Sequence, residues 1–305
     1  MAEHLRGLVA PPFTPMHGDG SVDLERIESH AELLTANPVD GVFVCGSTGE
    51  SMSLSVPERM EVTARWKAVI GDALPLIAHV GHTCLGDARA LAEHADRVGA
   101  DRIAVMGPCF FRPDGVEELV EFCAHVADAA PDLPFYYYHI PVRTGVSADM
   151  VEFLQRGRER IPSLVGIKFS EPDLATLSRC AALDGGRYNM LFGCENILLA
   201  GLAFGAHGSI GTLFNYAAPL FRELMDAYGA GDMAAARACQ RQVTALMSVF
   251  GPGDHLGTHK AIMELIGVDC GPPRLPVRAL SRQERDALRA RLEEVEFFEY
   301  SCRPA

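Results

Sequence analysis

The chain of 305 residues contains very little lysine and no excess of positive charge. Its 27 basic residues face 40 acidic ones, which gives a net charge of −13, and only Lys67, Lys168 and Lys260 are lysines. Nucleic acids and anionic membrane surfaces select for a basic face, so this balance excludes both as main partners. Because arginine replaces lysine almost everywhere, a position that keeps lysine is a candidate for chemistry that needs an amine able to lose its proton.

Signals of export and of membrane insertion are also missing. The nine cysteines are scattered, odd in number and form no CxxC pair, a pattern typical of reduced thiols in the cytoplasm. No apolar run reaches the ~20 residues of a membrane span. The N-terminus lacks the basic stretch and apolar core of a signal peptide. We therefore expect a cytoplasmic protein that has no membrane partner.

Eight short apolar runs alternate with helix-like segments before residue 228. Each run has the length and continuous apolarity of a strand buried on both faces, as in a parallel sheet. This alternation predicts an α/β fold, a (β/α)8 TIM barrel over residues 1–228. An open doubly wound sheet is the alternative, but no GxGxxG follows the first run. The runs lie at 7–13, 41–45, 75–80, 102–106, 134–140, 164–169, 189–193 and 208–212.

Residues 229–305 contain only helix-like segments, interrupted by the breaker GPPRLP at 271–276. They predict a C-terminal helical appendix that packs on the barrel and is not an independent domain. Within the barrel region, residues typical of helix N-caps precede three of the helix-like segments. These residues are Asp23, Ser55 and Ser147.

Lys168 lies in the sixth apolar run, LVGIKF. An ammonium group in such a run loses its hydration, so we expect the pKa of Lys168 to fall toward neutrality. A neutral amine inside a barrel is a nucleophile that forms a Schiff base with a carbonyl compound. The alternative is a lysine that pairs with a buried carboxylate for structural reasons only.

Two further groups follow the ends of apolar runs, where a barrel builds its active site. Ser47 and Thr48 lie in the turn GSTGE at 46–50, whose backbone N–H groups and hydroxyls can bind a carboxylate or phosphate. Tyr138 brings a phenol that can donate or accept a proton to the mouth of the barrel. Together with Lys168, these groups indicate an imine-forming enzyme that acts on a small 2-oxo acid.

Several motifs resemble those of the pyruvate-dependent class I aldolases, the family that contains N-acetylneuraminate lyase and dihydrodipicolinate synthase. The resemblance extends over nearly the whole chain, and the YYYHIP, THKAIMELIG and GPPRLP motifs are most similar to animal-type sialic acid lyases. The matching motifs are GSTGE at 46–50, YYYHIP at 136–141, GIKFS at 166–170, GAHGSIGT at 205–212, THKAIMELIG at 258–267 and GPPRLP at 271–276.

The resemblance implies a role for each residue around the reacting carbonyl group. Lys168 matches the lysine that forms the imine with pyruvate, and Tyr138 matches the phenol that moves protons during carbon–carbon cleavage. Ser47 and Thr48 match the residues that hold the pyruvate carboxylate. Ile210 matches the position whose backbone carbonyl faces the bound pyruvate.

The resemblance also implies contacts to the rest of the substrate. Ser170, Gly193 and Thr212 match positions that contact the sugar chain in sialic acid lyases. Those enzymes carry an Asp–Glu pair after the seventh strand, where this chain has Glu195 and Asn196 and so keeps only one carboxylate. We expect Glu195 and Asn196 to bind the hydroxylated tail of a sugar acid.

Arg143 leaves a second activity open. The Arg-Thr-Gly at 143–145 resembles the pattern of dihydrodipicolinate synthase, in which the arginine binds the carboxylate of the aldehyde substrate. Against that activity, the synthase relays protons through a tyrosine after strand four, and this chain has Phe110 and Phe111 there. We expect a lyase that cleaves N-acetylneuraminate or a close sugar acid. Condensation of pyruvate with aspartate semialdehyde and cleavage of 2-keto-3-deoxygluconate are the alternatives, together with a sensor barrel that has lost catalysis.

The resemblance implies a homotetramer, built as a dimer of dimers, that needs no cofactor. The protonated imine itself accepts the electron pair, so the mechanism requires no metal. Two histidine pairs are nevertheless candidate metal ligands: His79 with His82, and His255 with His259. Neither has a carboxylate or cysteine partner at ligand spacing, so we expect no metal site.

Overall fold

A computed structural model of the chain describes residues 4–251 and 256–304. Eight parallel strands form a closed barrel in which each strand pairs with its neighbours in sequence and β1 pairs with β8. The (β/α)8 TIM barrel is therefore confirmed. The strands are β1 Gly7–Ala10, β2 Gly41–Val44, β3 Leu76–His79, β4 Arg102–Met106, β5 Phe135–His139, β6 Leu164–Phe169, β7 Asn189–Phe192 and β8 Gly208–Ile210.

Every predicted apolar run contains one of these strands, although most runs extend beyond the strand. The clearest case is the run 7–13, because β1 ends at Ala10. Pro11 and Pro12 follow, and a proline has no N–H to donate to a neighbouring strand. The rest of that run forms the start of the loop over the barrel mouth.

Helices surround the barrel and continue after its last strand. Short 3₁₀ turns at Ser51–Ser53, Leu183–Gly185 and Glu195–Ile197 interrupt the connections. The helices are α1 Ile27–Ala36, α2 Val56–Ile70, α3 Leu85–Arg97, α4 Val116–Ala127, α5 Pro141–Thr144, α6 Met150–Arg160, α7 Leu174–Ala182, α8 Leu198–Ala203, α9 Phe214–Gly229, α10 Met233–Met247, α11 Leu256–Leu265, α12 Arg282–Glu294 and α13 Phe297–Tyr300.

One of the three predicted helix N-caps is confirmed. The Ser55 side chain accepts a hydrogen bond from the backbone N–H of Glu58, and the Glu58 carboxylate accepts one from the backbone N–H of Ser55 at 2.7 Å. This reciprocal capping box satisfies two N–H groups that the first turn of α2 would otherwise leave without partners.

The other two predicted N-caps were wrong. Helix α1 begins at Ile27, and the Asp23 carboxylate instead accepts hydrogen bonds from backbone N–H groups in the turn before it. Helix α6 is capped by Asp149 and not by Ser147, because the Asp149 carboxylate accepts from two backbone N–H groups at 2.8 and 3.0 Å. In both cases a carboxylate able to bond two N–H groups at once decides the local geometry.

The strands separate two layers of buried side chains. Because successive residues of a strand point to opposite faces, Tyr136 and Tyr138 lie in the barrel interior, whereas Tyr137 packs in the outer layer between strands and helices. The pairing of β5 with β6 sets Tyr138 directly beside Lys168. The two most reactive side chains predicted from the sequence therefore lie next to each other inside the barrel.

The C-terminal helices α10–α13 follow the barrel, and α10 packs along α9, the helix after the last strand. The division of the chain into 1–228 and 229–305 stays a prediction. Within the described residues, no helix combines the length and the apolarity that crossing a membrane requires.

Candidate active site

Lys168 is buried at the mouth end of β6, with only 4% of its surface exposed. Its Nζ lies 3.9 Å from the ring centroid of Phe43 and 4.0 Å from that of Tyr138. Burial lowers the pKa of Lys168 to about 7, and the charge of Glu195 acts in the opposite direction. Near neutral pH, a large share of this amine is therefore unprotonated and nucleophilic.

Lys168 differs from the other two lysines in having no carboxylate partner among the residues that the structure describes. Lys67 Nζ lies 3.2 Å from a carboxylate oxygen of Asp101, and Lys260 Nζ lies 2.7 Å from one of Glu50. In the part of the chain that the structure describes, no carboxylate oxygen lies within 4 Å of Lys168 Nζ. This environment argues against a lysine kept only for a structural ion pair.

Tyr138 packs against Lys168 and reaches a hydroxyl of the neighbouring turn. Its OH lies 3.3 Å from Ser47 Oγ, and hydrogen bonds to Ser47 and Ser170 lower its pKa. Burial outweighs them and raises the pKa of Tyr138 to about 12, so the resting phenol is protonated. A phenol in contact with a second hydroxyl can exchange protons through it.

The turn at 46–50 is held in a strained conformation. Cys45 and Glu50, at its two ends, have positive φ angles of 56° and 61°, which residues other than glycine rarely adopt. A side chain at Gly46 would place its Cβ only 2.7 Å from the Phe43 ring, so the turn packs tightly on the barrel interior. Thr48 Oγ1 lies 2.8 Å from Thr212 Oγ1 and ties the turn to the loop after β8.

The ends of β6 and β7 form the opposite wall. A Cβ at Gly193 would clash with the Ser170 side chain, so a larger residue there would force Ser170 to move. Glu195 Oε1 accepts a hydrogen bond from the backbone N–H of Leu213 at 3.4 Å. Burial raises the pKa of Glu195, while the charge of Lys168 lowers it. Asn196, by contrast, is exposed at the rim.

All eleven residues predicted for the site line a single cavity of about 740 Å³ at the mouth of the barrel. A smaller neighbouring cavity of about 440 Å³ shares four of them, namely Ser47, Thr48, Arg143 and Thr212. The eleven are Ser47, Thr48, Tyr138, Arg143, Lys168, Ser170, Gly193, Glu195, Asn196, Ile210 and Thr212.

Three polar residues of the cavity wall were not predicted from the sequence: Ser147, Glu171 and Cys194. Glu171 and Cys194 each lie next to a predicted residue, just past the end of β6 or β7. Their place at the mouth of the barrel could therefore have been inferred from the rule that strand ends form the site. Ser147 was predicted only as a helix cap, a role that Asp149 takes.

The histidines predicted as candidate metal ligands have other partners. His79 donates from Nδ1 to the carbonyl oxygen of Cys45 at 2.9 Å, and His259 Nδ1 lies 2.7 Å from a tyrosine hydroxyl. His82 lies beside a single carboxylate, and His255 lies outside the described residues. Among residues 4–251 and 256–304, no three histidine, cysteine or carboxylate side chains converge on one point.

Comparison with known proteins agrees with this geometry. The Dihydrodipicolinate synthetase family matches residues 4–295. N-acetylneuraminate lyase A of Xenopus laevis is 39% identical over 279 residues, covering 90% of this chain and 91% of its own. The human N-acetylneuraminate lyase is 38% identical over 304 residues, which cover 97% of this chain and 94% of the human protein. The chain therefore belongs to the dihydrodipicolinate synthetase family, as its motifs predicted.

Solved structures point to the same family. N-acetylneuraminate lyase of Proteus mirabilis superimposes with a TM-score of 0.93 at 39% identity, covering 97% of this chain and 100% of that one. The sialic acid aldolase of Aliivibrio salmonicida gives a TM-score of 0.94 at 36% identity, covering 97% and 98%. A dihydrodipicolinate synthase also superimposes, with a TM-score of 0.87 at 25% identity, covering 96% and 99%.

Proposed function

We propose that the chain is a class I pyruvate aldolase, a carbon–carbon lyase that reversibly cleaves N-acetylneuraminate or a close sugar acid to pyruvate and an aldehyde. The observation that carries this proposal is the environment of Lys168, a buried amine that has no carboxylate partner among the described residues and a pKa of about 7. The names of the relatives with 38–39% identity support the same activity.

In the proposed mechanism the neutral amine of Lys168 attacks the C2 carbonyl of the substrate, whose carboxylate is bound by the turn at Ser47 and Thr48. Loss of water and uptake of one proton from solvent give a protonated imine. Tyr138 takes the proton of the C4 hydroxyl while passing its own to Ser47, Ser47 passes its proton to the bound carboxylate, and the C3–C4 bond breaks. The bonding electrons move into the imine to form an enamine, and the aldehyde leaves. The proton returns through Ser47 and Tyr138 to C3 of the enamine, and hydrolysis of the imine releases pyruvate and one proton and restores the neutral amine of Lys168.

The imine acts as the electron sink, so this mechanism requires neither a metal nor an organic cofactor. The groups beyond the reacting carbonyl suit a hydroxylated chain, because together they supply hydrogen-bond donors and acceptors. Those groups are Ser170, Glu195, Asn196 and Thr212, all on the cavity wall.

Condensation of pyruvate with aspartate semialdehyde is the second candidate, and Arg143 favours it. This guanidinium lies on both cavities, where it can meet an anionic aldehyde. Against this activity, Phe110 and Phe111 supply no phenol to the loop after β4. We therefore favour the lyase activity over the synthase activity.

We further propose that the enzyme is a cytoplasmic homotetramer. Support comes from three large apolar side chains near the barrel mouth, Phe110, Phe111 and Val142, which are 78–85% exposed in the single chain. The rings of Phe110 and Phe111 pack edge to face, with their centroids 4.9 Å apart. Contiguous exposed apolar groups mark surfaces that other protein chains cover. Light scattering tests the assembly, and a monomeric mass at micromolar concentration would contradict it.

The activity is tested by measuring pyruvate release from a panel of sugar acids, including N-acetylneuraminate and 2-keto-3-deoxygluconate. The reverse assay supplies pyruvate with aspartate semialdehyde. We expect cleavage of N-acetylneuraminate and little condensation with the semialdehyde. Efficient condensation without any sugar-acid cleavage would reject the lyase in favour of the synthase. Borohydride trapping of pyruvate without any turnover would favour a sensor barrel.

A further inference from the structure

Glu171 is a carboxylate on the cavity wall that the mechanism above does not use. It follows Ser170 at the end of β6, lines the 740 Å³ cavity and is 38% exposed. One of its oxygens, Oε2, lies 2.8 Å from His139 Nε2. The position of this carboxylate is therefore set by a side chain from the neighbouring strand.

His139 is itself firmly held. Its side chain is 3% exposed. The centroid of its ring lies 5.1 Å from the ring centroid of Phe169 and 6.2 Å from that of Tyr137. Its backbone carbonyl accepts a hydrogen bond from the N–H of Ser170 at 2.8 Å. The same residue thus fixes both the backbone of the loop after β6 and the carboxylate that projects from it.

The protonation of His139 fits a donor to Glu171. Burial lowers the pKa of His139 and outweighs the opposing effect of the Glu171 carboxylate, so the ring is neutral near pH 7. Its Nδ1 is buried and has no hydrogen-bond partner among the described residues, whereas Nε2 faces the carboxylate. The single ring proton therefore belongs on Nε2, where it donates to Glu171.

Glu171 and Glu195 lie on neighbouring loops of the same wall. Both charges act on Cys194, which also lines the cavity, and both raise the pKa of its thiol after the larger effect of burial. Glu195 is engaged by the backbone N–H of Leu213. Glu171 Oε1 accepts no hydrogen bond from the described residues, so it remains available to a ligand in the cavity.

We propose that Glu171 is a specificity-determining residue that accepts hydrogen bonds from hydroxyl groups of the substrate beyond the cleaved bond, and that His139 is its positioning residue. This inference rests on the proposed lyase function and names the substrate class as a neutral, polyhydroxylated tail. A carboxylate only accepts hydrogen bonds, so it favours hydroxyl donors and repels a tail that carries its own carboxylate.

The test compares Glu171→Gln with wild type in cleavage of N-acetylneuraminate and in condensation from pyruvate. Losing a charged acceptor should raise KM for the sugar acid about 10-fold. Because the pyruvate end is untouched, KM for pyruvate and kcat should each change by no more than about 2-fold. Glu171→Asp should restore part of the loss. Glu159→Gln, on the exposed face of α6, is the matched control and should behave as wild type.

The role of His139 is tested by a double-mutant cycle. His139→Phe removes the donor and should raise KM for the sugar acid, whereas His139→Gln keeps an N–H near the same place and should retain most of the affinity. In the Glu171→Gln background, His139→Phe should add less than about 2-fold, because it acts through the carboxylate. Additive effects would reduce His139 to a packing residue and overturn its positioning role.

The outcomes separate this inference from the proposed function. If wild type cleaves N-acetylneuraminate and Glu171→Gln leaves its KM unchanged, the inference is wrong and the lyase stands. An equal rise in KM for pyruvate would also overturn it, because Glu171 would then act on the common end of the substrate. If wild type releases no pyruvate from any hydroxylated 2-oxo acid, the proposed function fails and this inference fails with it.

Discussion

Lys260 Nζ lies 2.7 Å from Glu50 Oε1, and both side chains are 2% exposed. Lys260 also donates to the carbonyl oxygens of Thr14 and Pro272 at 2.8 and 2.9 Å. Glu50 Oε2 accepts from the backbone N–H of Arg274 at 2.7 Å. Helix α11 and the segment after it therefore hold the end of the turn that carries Ser47 and Thr48, although they lie more than 200 residues away in the chain.

Removing one partner of this ion pair should destabilise the fold strongly. Lys260→Met leaves the Glu50 carboxylate buried without its cation, which costs about 3–5 kcal/mol. Denaturant unfolding at one fixed protein concentration measures the loss. Lys67→Met, which breaks a more exposed pair with Asp101, should cost less than about 1 kcal/mol. Equal losses in the two variants would contradict the structural role assigned to Lys260.

Lys168 is expected to be the residue that forms the imine. Incubation with pyruvate and borohydride should add one reduced pyruvate, mapped by mass spectrometry to the peptide containing Lys168. Label on Lys67 or Lys260 would refute the assignment. Lys168→Arg should be inactive and should trap nothing, because a guanidinium stays protonated and cannot attack a carbonyl.

The lowered pKa of Lys168 predicts the pH dependence of trapping. The neutral amine is the nucleophile, so the initial rate of pyruvate trapping should rise with pH through about 7 and then level off. A lysine in water would continue to gain reactivity up to its usual pKa of 10.5. Tyr138→Phe should keep the inflection near 7, because the pKa of that phenol is about 12. An inflection near 10 would show that burial does not tune this amine.

Tyr138 is expected to move protons during bond cleavage and not during imine formation alone. Tyr138→Phe should still trap pyruvate, while turnover of the sugar acid falls by about 10²–10⁴-fold. Steady-state cleavage and single-turnover trapping on the same preparation separate the two steps. Tyr137→Phe, in the outer layer, serves as the control and should turn over substrate much as wild type does. Nearly unchanged turnover in Tyr138→Phe would assign the proton to another group.

Arg143 distinguishes the two candidate activities. If the aldehyde partner carries a carboxylate, Arg143→Ala should weaken the use of that aldehyde by the ~1.5–3 kcal/mol typical of losing a hydrogen bond to a charged group, since Arg143 is exposed on the cavity wall. If the aldehyde released from the substrate is a neutral sugar, Arg143→Ala should keep most of the lyase activity. Specificity constants for N-acetylneuraminate and for aspartate semialdehyde, measured on one variant, decide between these outcomes.

The sequence by itself determined the barrel and the position of its chemistry. Continuous apolar runs identify strands buried on both faces, and strand ends in a barrel meet at one mouth. These two rules are enough to bring Lys168, Tyr138 and the turn at Ser47 and Thr48 together. Lysine is scarce in the chain, and Lys168 is the lysine that lies in a continuous apolar strand, from which the direction of its pKa shift follows.

Only the tertiary structure decided which distant groups meet. The pairs Lys260–Glu50, Thr48–Thr212 and His139–Glu171 join different elements, and no local pattern encodes such contacts. The helix starts that were predicted wrongly depended on whether a nearby carboxylate captured the free N–H groups. The packing of the strands and loops also decides that Lys168 has no carboxylate partner among the described residues. The pKa of its amine is lowered because the folded barrel excludes water from it, an effect that outweighs the charge of Glu195, and that balance is a property of packing.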